Sequence, residues 1–280
     1  MVPDKRLTPH VPITVNEIVE QTHEAYETGI TIAHLHARES DETPSWRPEI
    51  YRDIFEGVRK HCPDLVICGS TSGRLYSEFE KRSALIELMP DMCSLTLSSL
   101  NFMQHSSVND PDMIQRLALK MKDYGVNPEL ECFDLGMINY GKYLIKKGVI
   151  ESPCYWNLIF GNIAGFQPVL TEITAAVSAI PDQHFIAFGG LGTHQLSVNS
   201  MAVALGYGVR TGLEDNIWWD KSKGIKARNI DLVQRIHKLI DMNDAEYMRA
   251  SEFGETGFYN KAVGPGTRVF VHGNHLCDDQ

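Results

Sequence analysis

At 280 residues, with 43% hydrophobic and 22% charged side chains, the chain can bury a substantial core, and its composition excludes a disordered or fibrous protein. A formal net charge of −10, with no dense run of Lys and Arg, excludes a nucleic-acid surface and a polybasic membrane anchor. No run of about 18 apolar residues and no charged-then-apolar leader appears, so the expected setting is the cytoplasm, away from membranes.

The elements alternate. Thr14 with Glu17 three residues on reads as a capping box that opens a helix, and Gly29 closes it. The strand "ITIAHLH" follows, then a helix from Pro48, "PEIYRDIFEGVRKH", and the strand "DLVICGS". The same alternation continues through helix "EFEKRSALIEL", strand "MCSLTL", helix "PDMIQRLALKMKDYG", strand "PELECFD" and helix "MINYGKYLIKKG". Strand "CYWNLIF", helix "VLTEITAAVSAI", strand "HFIAFGG", helix "HQLSVNSMAVALG", strand "GVRTG" and a last helix "NIDLVQRIHKLIDM" complete it.

Strands separated by helices of ten or more residues are parallel and joined by helical crossovers. The expected fold is therefore α/β, a TIM-type barrel in one domain over residues 1–280, with a Gly-rich tail from about 253. An open doubly wound sheet fits less well because no GxGxxG follows the first strand. One strand of the barrel is missing, since the Pro-rich, polar residues 1–13 cannot supply it; either the barrel is incomplete or the chain begins downstream of its natural start. The six cysteines, Cys62, Cys68, Cys93, Cys132, Cys154 and Cys277, lack CxxC spacing and read as reduced core residues.

Side chains alternate faces along a strand, so His34 and His36 share one face near a C-terminal strand end, where barrel enzymes do their chemistry. Two imidazoles so placed can converge on one metal ion, which then needs a third ligand from another strand end. In "VRTGLEDN" the neighbours Glu214 and Asp215 divide between ligand and base, with Arg210 just before; a helix cap in a solvated loop is the plainer reading. In "STSGR", Ser70, Thr71, Ser72 and Gly73 offer hydroxyl and backbone donors that suit a carboxylate or phosphate, as an ordinary turn also would. Arg74 beside them suits an anionic group or a surface ion pair. Ser94, Ser98, Ser99 and Asn101 mark the end of the third strand. Asp134 reads as a carboxylate bonded to loop amides, with catalysis as the alternative, and His194 as a helix-start residue that either caps or faces ligand. His23, His61 and His237 fall in helical runs and read as surface residues; His272 and His275 lie in the tail.

The motifs "HLHAR", "STSGR", "SLTLSSLNF", "ELECFDLGMINY", "GNIAG" and "VRTGLEDN" occur in one order and spacing over about residues 8–240, and together the chain resembles the beta-keto acid cleavage enzymes. The resemblance implies a zinc-bearing TIM barrel, usually a homotetramer, that takes a beta-keto acid and acetyl-CoA to acetoacetate and a new acyl-CoA. It implies His34, His36 and Glu214 as metal ligands, Asp215 as general base and Arg210 as the arginine that positions it. Ser70 joins the expected catalytic group and, with Thr71, Gly73, Ser94 and Asn101, the expected substrate contacts; Ser94 stands where the family's namesake has threonine. The family's first strand, with its glutamate, has no counterpart. Competing readings are an amidohydrolase-type metal hydrolase, for which "ECFD" and "NLIF" lack the further histidines, and a catalytically inactive barrel.

Overall fold

The computed structural model describes residues 3–264. Seven parallel strands form one curled sheet: β1 (Ile32–Leu35), β2 (Val66–Gly69), β3 (Met92–Thr96), β6 (Asn127–Cys132), β7 (Tyr155–Phe160), β8 (Phe185–Gly190) and β9 (Gly208–Arg210), neighbours in that order. A small antiparallel hairpin, β4 (Leu100–Asn101) with β5 (Ser106–Ser107), interrupts the alternation after β3. This is the expected barrel architecture with one strand absent: among the described residues β1 and β9 each pair on one side only. The space between those two edges opens into a cavity of about 840 Å³, lined by α1 (Val15–Thr28) and α8 (Asn229–Met242) and reaching to the strand ends.

The first helix forms as its cap signal requires. The Thr14 hydroxyl accepts the Glu17 N–H, the Glu17 carboxylate accepts the Thr14 N–H, and Gly29 ends the helix at φ 109°, where a Cβ would be strained. α2 (Pro48–His61), α4 (Pro111–Asp123) and α8 match the expected runs, and among the described residues no helix is long and apolar enough to cross a membrane. The run expected as one helix over residues 78–88 departs from it. Its α-helical part is only α3 (Phe79–Ser83), and Ala84–Leu88 tightens into a 3₁₀ turn. The departure has a cause outside the helix: buried Arg82 turns inward to donate to the carbonyls of Thr71 and Val108 and to Asn109, while Leu85 and Ile86 enter the core.

Register sorts the side chains by layer. Ile32 pairs with Val66 and His34 with Cys68; Ser94 pairs with Glu129, and Glu129 with Tyr155. Outward residues such as Leu35, Ile67, Leu95, Leu130 and Trp156 join the helices in the main core. The barrel floor is apolar: Ile32, Val66, Met92, Tyr155 and Phe185 meet Phe253, Phe258 and Tyr259. The described part of the tail therefore packs into its own barrel.

Candidate active site

Above that floor the interior turns polar. His34 in β1 and His36 just past its end project to the mouth as their spacing predicts, and their Nε2 atoms lie 3.2 Å apart. Glu214, in the loop after β9, brings Oε2 to 3.0 Å from His36 Nε2. The ligand atoms of His34, His36 and Glu214 all lie within 4.8 Å of one another. Behind them, His34 Nδ1 sits 2.7 Å from the Glu129 carboxylate, which holds that ring nitrogen as the donor and aims Nε2 at the cluster. Ligands at about 2.0–2.1 Å around a tetrahedral divalent cation lie roughly 3.3 Å apart, so this donor set fits such an ion with a fourth position open.

A second grouping, His34, Cys68 and Glu129, is less suited. Burial pushes the Cys68 thiol well above its ordinary value, so it stays protonated and donates to Glu129 at 3.2 Å. That contact orients Glu129 instead of offering a thiolate ligand.

One guanidinium ties the site together. Arg210 donates from Nε to Asp215 at 3.0 Å, from Nη2 to Glu214 at 2.8 Å and from Nη1 to Glu131 at 3.2 Å, and Glu129 lies 3.6 Å from Nη1. Burial opposes its charge, yet these four carboxylates hold Arg210 well above its ordinary pKa. The carboxylates separate in turn. Burial would raise them all, but His36 and Arg210 keep Glu214 well below the usual range, and His34 and Arg210 keep Glu129 at about 2. Glu131 goes the other way, raised by burial and by the charge of Glu129 against the pull of Arg210. Burial favours the neutral form of both histidines; Glu129 overcomes it at His34, whose pKa is raised, while Glu214 does not at His36, whose pKa is lowered.

Of the other expected site residues, Ser70 and Thr71 line the large cavity, and Ser70, Ser72, Arg74 and Thr96 line a smaller recess beside the histidines. Ser94 is buried beneath them: its Oγ accepts the Thr71 N–H at 3.1 Å, and its carbonyl accepts the Thr71 hydroxyl at 2.5 Å. Gly73 packs on Arg82, where a Cβ would meet the guanidinium at 2.6 Å. Asn101 is exposed on the hairpin opposite Ser106. Asp134 caps α5 (Leu135–Lys146) by accepting the Met137 N–H at 2.8 Å, and the His194 ring packs on Gly161, 2.8 Å from where a Cβ would stand there. His272, His275 and Cys277 lie outside the described residues. Glu129 and Glu131 are the two residues missed by the sequence reading. Their signal was the E-x-E spacing of "ELEC", the same two-residue period that singles out His34 and His36.

The model of the family described as "beta-keto acid cleavage enzyme" matches residues 1–256. The chain belongs to the beta-keto acid cleavage enzyme family. Among its relatives, the 3-oxoadipate:acetyl-CoA acetyltransferase of Cupriavidus necator is 38% identical over 245 residues, covering 86% of this chain and 85% of that protein. The 3-keto-5-aminohexanoate cleavage enzyme of Acetoanaerobium sticklandii is 34% identical, covering 84% of this chain and 86% of the relative. Among solved structures, apo ObcA shares the fold at a TM-score of 0.75 and 18% identity, over 90% of this chain and 66% of ObcA. An enzyme of this family, with a candidate metal triad at its strand ends, leaves the inactive-barrel reading without support. The amidohydrolase reading lacks its further histidines as well: among the described residues none joins the triad.

Proposed function

We propose that this enzyme is zinc-dependent and converts a beta-keto acid and acetyl-CoA into acetoacetate and a new acyl-CoA, as a cytoplasmic homotetramer. The observation that carries the reading is the meeting of His34, His36 and Glu214, with Arg210 bonded to both Glu214 and Asp215. His34, His36 and Glu214 hold the zinc, which when bound polarises the keto oxygen as a Lewis acid.

The remaining steps belong to side chains. Asp215, nearly buried and fixed by Arg210, takes a proton from the methylene group between the keto and carboxylate groups of the beta-keto acid. The resulting enolate carbon attacks the thioester carbon of acetyl-CoA and expels the CoA thiolate, which adds to the original keto carbon; cleavage of the bond between that carbon and the methylene carbon then releases the acyl-CoA and the acetoacetate enolate, which takes the proton back from Asp215. Ser70 donates to the substrate, and Thr71, Gly73, Ser94 and Asn101 complete the proposed substrate contacts, Ser94 by supporting Thr71. Arg210 offsets negative charge as Asp215 and the substrate exchange it.

Mass spectrometry of the zinc-loaded enzyme, incubated with acetyl-CoA and a panel of beta-keto acids, tests the reading. Acetoacetate appearing together with one new acyl-CoA supports it and names the substrate. Zinc binding without paired products from any acid rejects it.

A further inference from the structure

Four arginines line the large cavity: Arg38, Arg74, Arg82 and Arg210. Three are engaged by protein. Arg210 meets four carboxylates, Arg74 lies 3.3 Å from Glu214, and Arg82 donates to two carbonyls and an asparagine. Arg38 differs. It stands two residues beyond His36 at the mouth and is half-buried. Yet among the described residues its guanidinium makes one hydrogen bond, from Nη1 to the Glu42 carbonyl at 3.1 Å, and no ion pair.

A guanidinium presents five N–H donors in a rigid fork shaped for carboxylate or phosphate. Closing one turn uses one of them, and any residue with a single donor would do that. A half-buried cation with most donors left to a cavity is costly unless a bound anion supplies acceptors.

We propose that Arg38 anchors an oxyanion of the substrate pair, either the carboxylate of the beta-keto acid or a phosphate of the CoA ester. The proposal rests on the functional reading above, and its test separates the two. Arg38→Gln and Arg38→Lys are compared with the parent enzyme by steady-state kinetics, each substrate varied in turn, and by calorimetric binding of acetoacetate and of 3′,5′-ADP.

Arg38→Gln is expected to raise one KM by about 10- to 100-fold, the range of charge-assisted hydrogen bonds, with kcat changed only a few-fold. Arg38→Lys, which keeps the charge without the fork, is expected to recover part of the loss. A raised KM for the keto acid with lost acetoacetate binding assigns the carboxylate; a raised KM for acetyl-CoA with lost 3′,5′-ADP binding assigns the phosphate. Unchanged binding of both probes overturns the proposal, as does a fall in kcat and melting temperature with both KM values intact. If the parent enzyme turns over no keto acid, the functional reading fails while the binding measurements still decide the role of Arg38.

Discussion

At Arg210, one side chain faces four carboxylates in an interior layer where charge is expensive. The same arginine touches the proposed ligand Glu214 and the proposed base Asp215, so the two roles can be separated by mutation. Asp215→Asn is expected to bind zinc as tightly as the parent and to lose turnover by about 10²- to 10⁴-fold, the usual share of a general base. Metal analysis beside kcat checks this, and near-normal kcat removes Asp215 from the base role. His34→Ala should do the reverse at the level of the ion: no bound zinc after dialysis, and no zinc-dependent rise in melting temperature. How much of this layer a sequence can display follows from the strands themselves. His34 and His36 were legible because parity along one strand puts them on one face. The ties from Glu129 to His34 and from Glu131 to Arg210 were not, because they depend on register between strands far apart in the chain. Adjacency of Glu214 and Asp215 suggests a division of labour, and Arg210 bonds the two through different nitrogens.

Local elements were most legible where one residue chemistry decides the outcome. Thr14, Glu17 and Gly29 specify both ends of α1 without help from tertiary packing. Glu17 does more than cap: burial raises its pKa, but Lys5 at 2.8 Å and the N–H groups of Thr14 and Ile13 together outweigh it and bring it down to about 2. A depressed carboxylate contributes stability that is present above its unfolded value and lost as pH falls through its folded one. Glu17→Gln should therefore destabilise near neutrality and converge with the parent as pH drops from about 4.3 toward 2. Because the side chain is 37% exposed, solvent screening keeps the difference below about 1 kcal/mol, measurable as a melting-temperature gap that closes in acid. Asp134→Ala tests another cap: about 1 kcal/mol lost from stability with kcat unchanged, whereas a collapse of kcat would make that carboxylate catalytic. The segment over residues 78–88 and the hairpin after β3 were illegible for a common reason. Their shapes answer to Arg82 and Asn109 reaching across to other loops, and neither contact leaves a periodic trace.

The whole molecule depends on how its seven strands are left open at one side and closed at the base. Seven parallel strands and a missing eighth could be read from alternation, but the cavity that the gap between β1 and β9 opens appears only once curl and register are known. The lower closure is aromatic. Phe253 and Phe258 stack at 4.3 Å between ring centroids, with Tyr155 and Phe185 edge-on around them, and Asn260 is held by the carbonyls of Pro90 and Tyr124. A Gly-rich tail gave no sign of this, because its plug is built from isolated aromatics and buried backbone contacts instead of a repeating pattern. Phe258, 1% exposed, is the piece whose loss leaves a void at the base of the barrel. Phe258→Ala should cost about 3–5 kcal/mol in urea unfolding, the range for a large buried ring cut to a methyl. The candidate metal triad stands a layer above, at the end of β1 and in the loop after β9, and this ring supports the barrel only from below. Zinc content should therefore be retained under conditions where the variant remains folded. A variant as stable as the parent would mean that the tail does not plug the barrel, whereas loss of zinc from a still-folded variant would mean that the floor sets the geometry of His34 and His36 as well as the stability of the chain.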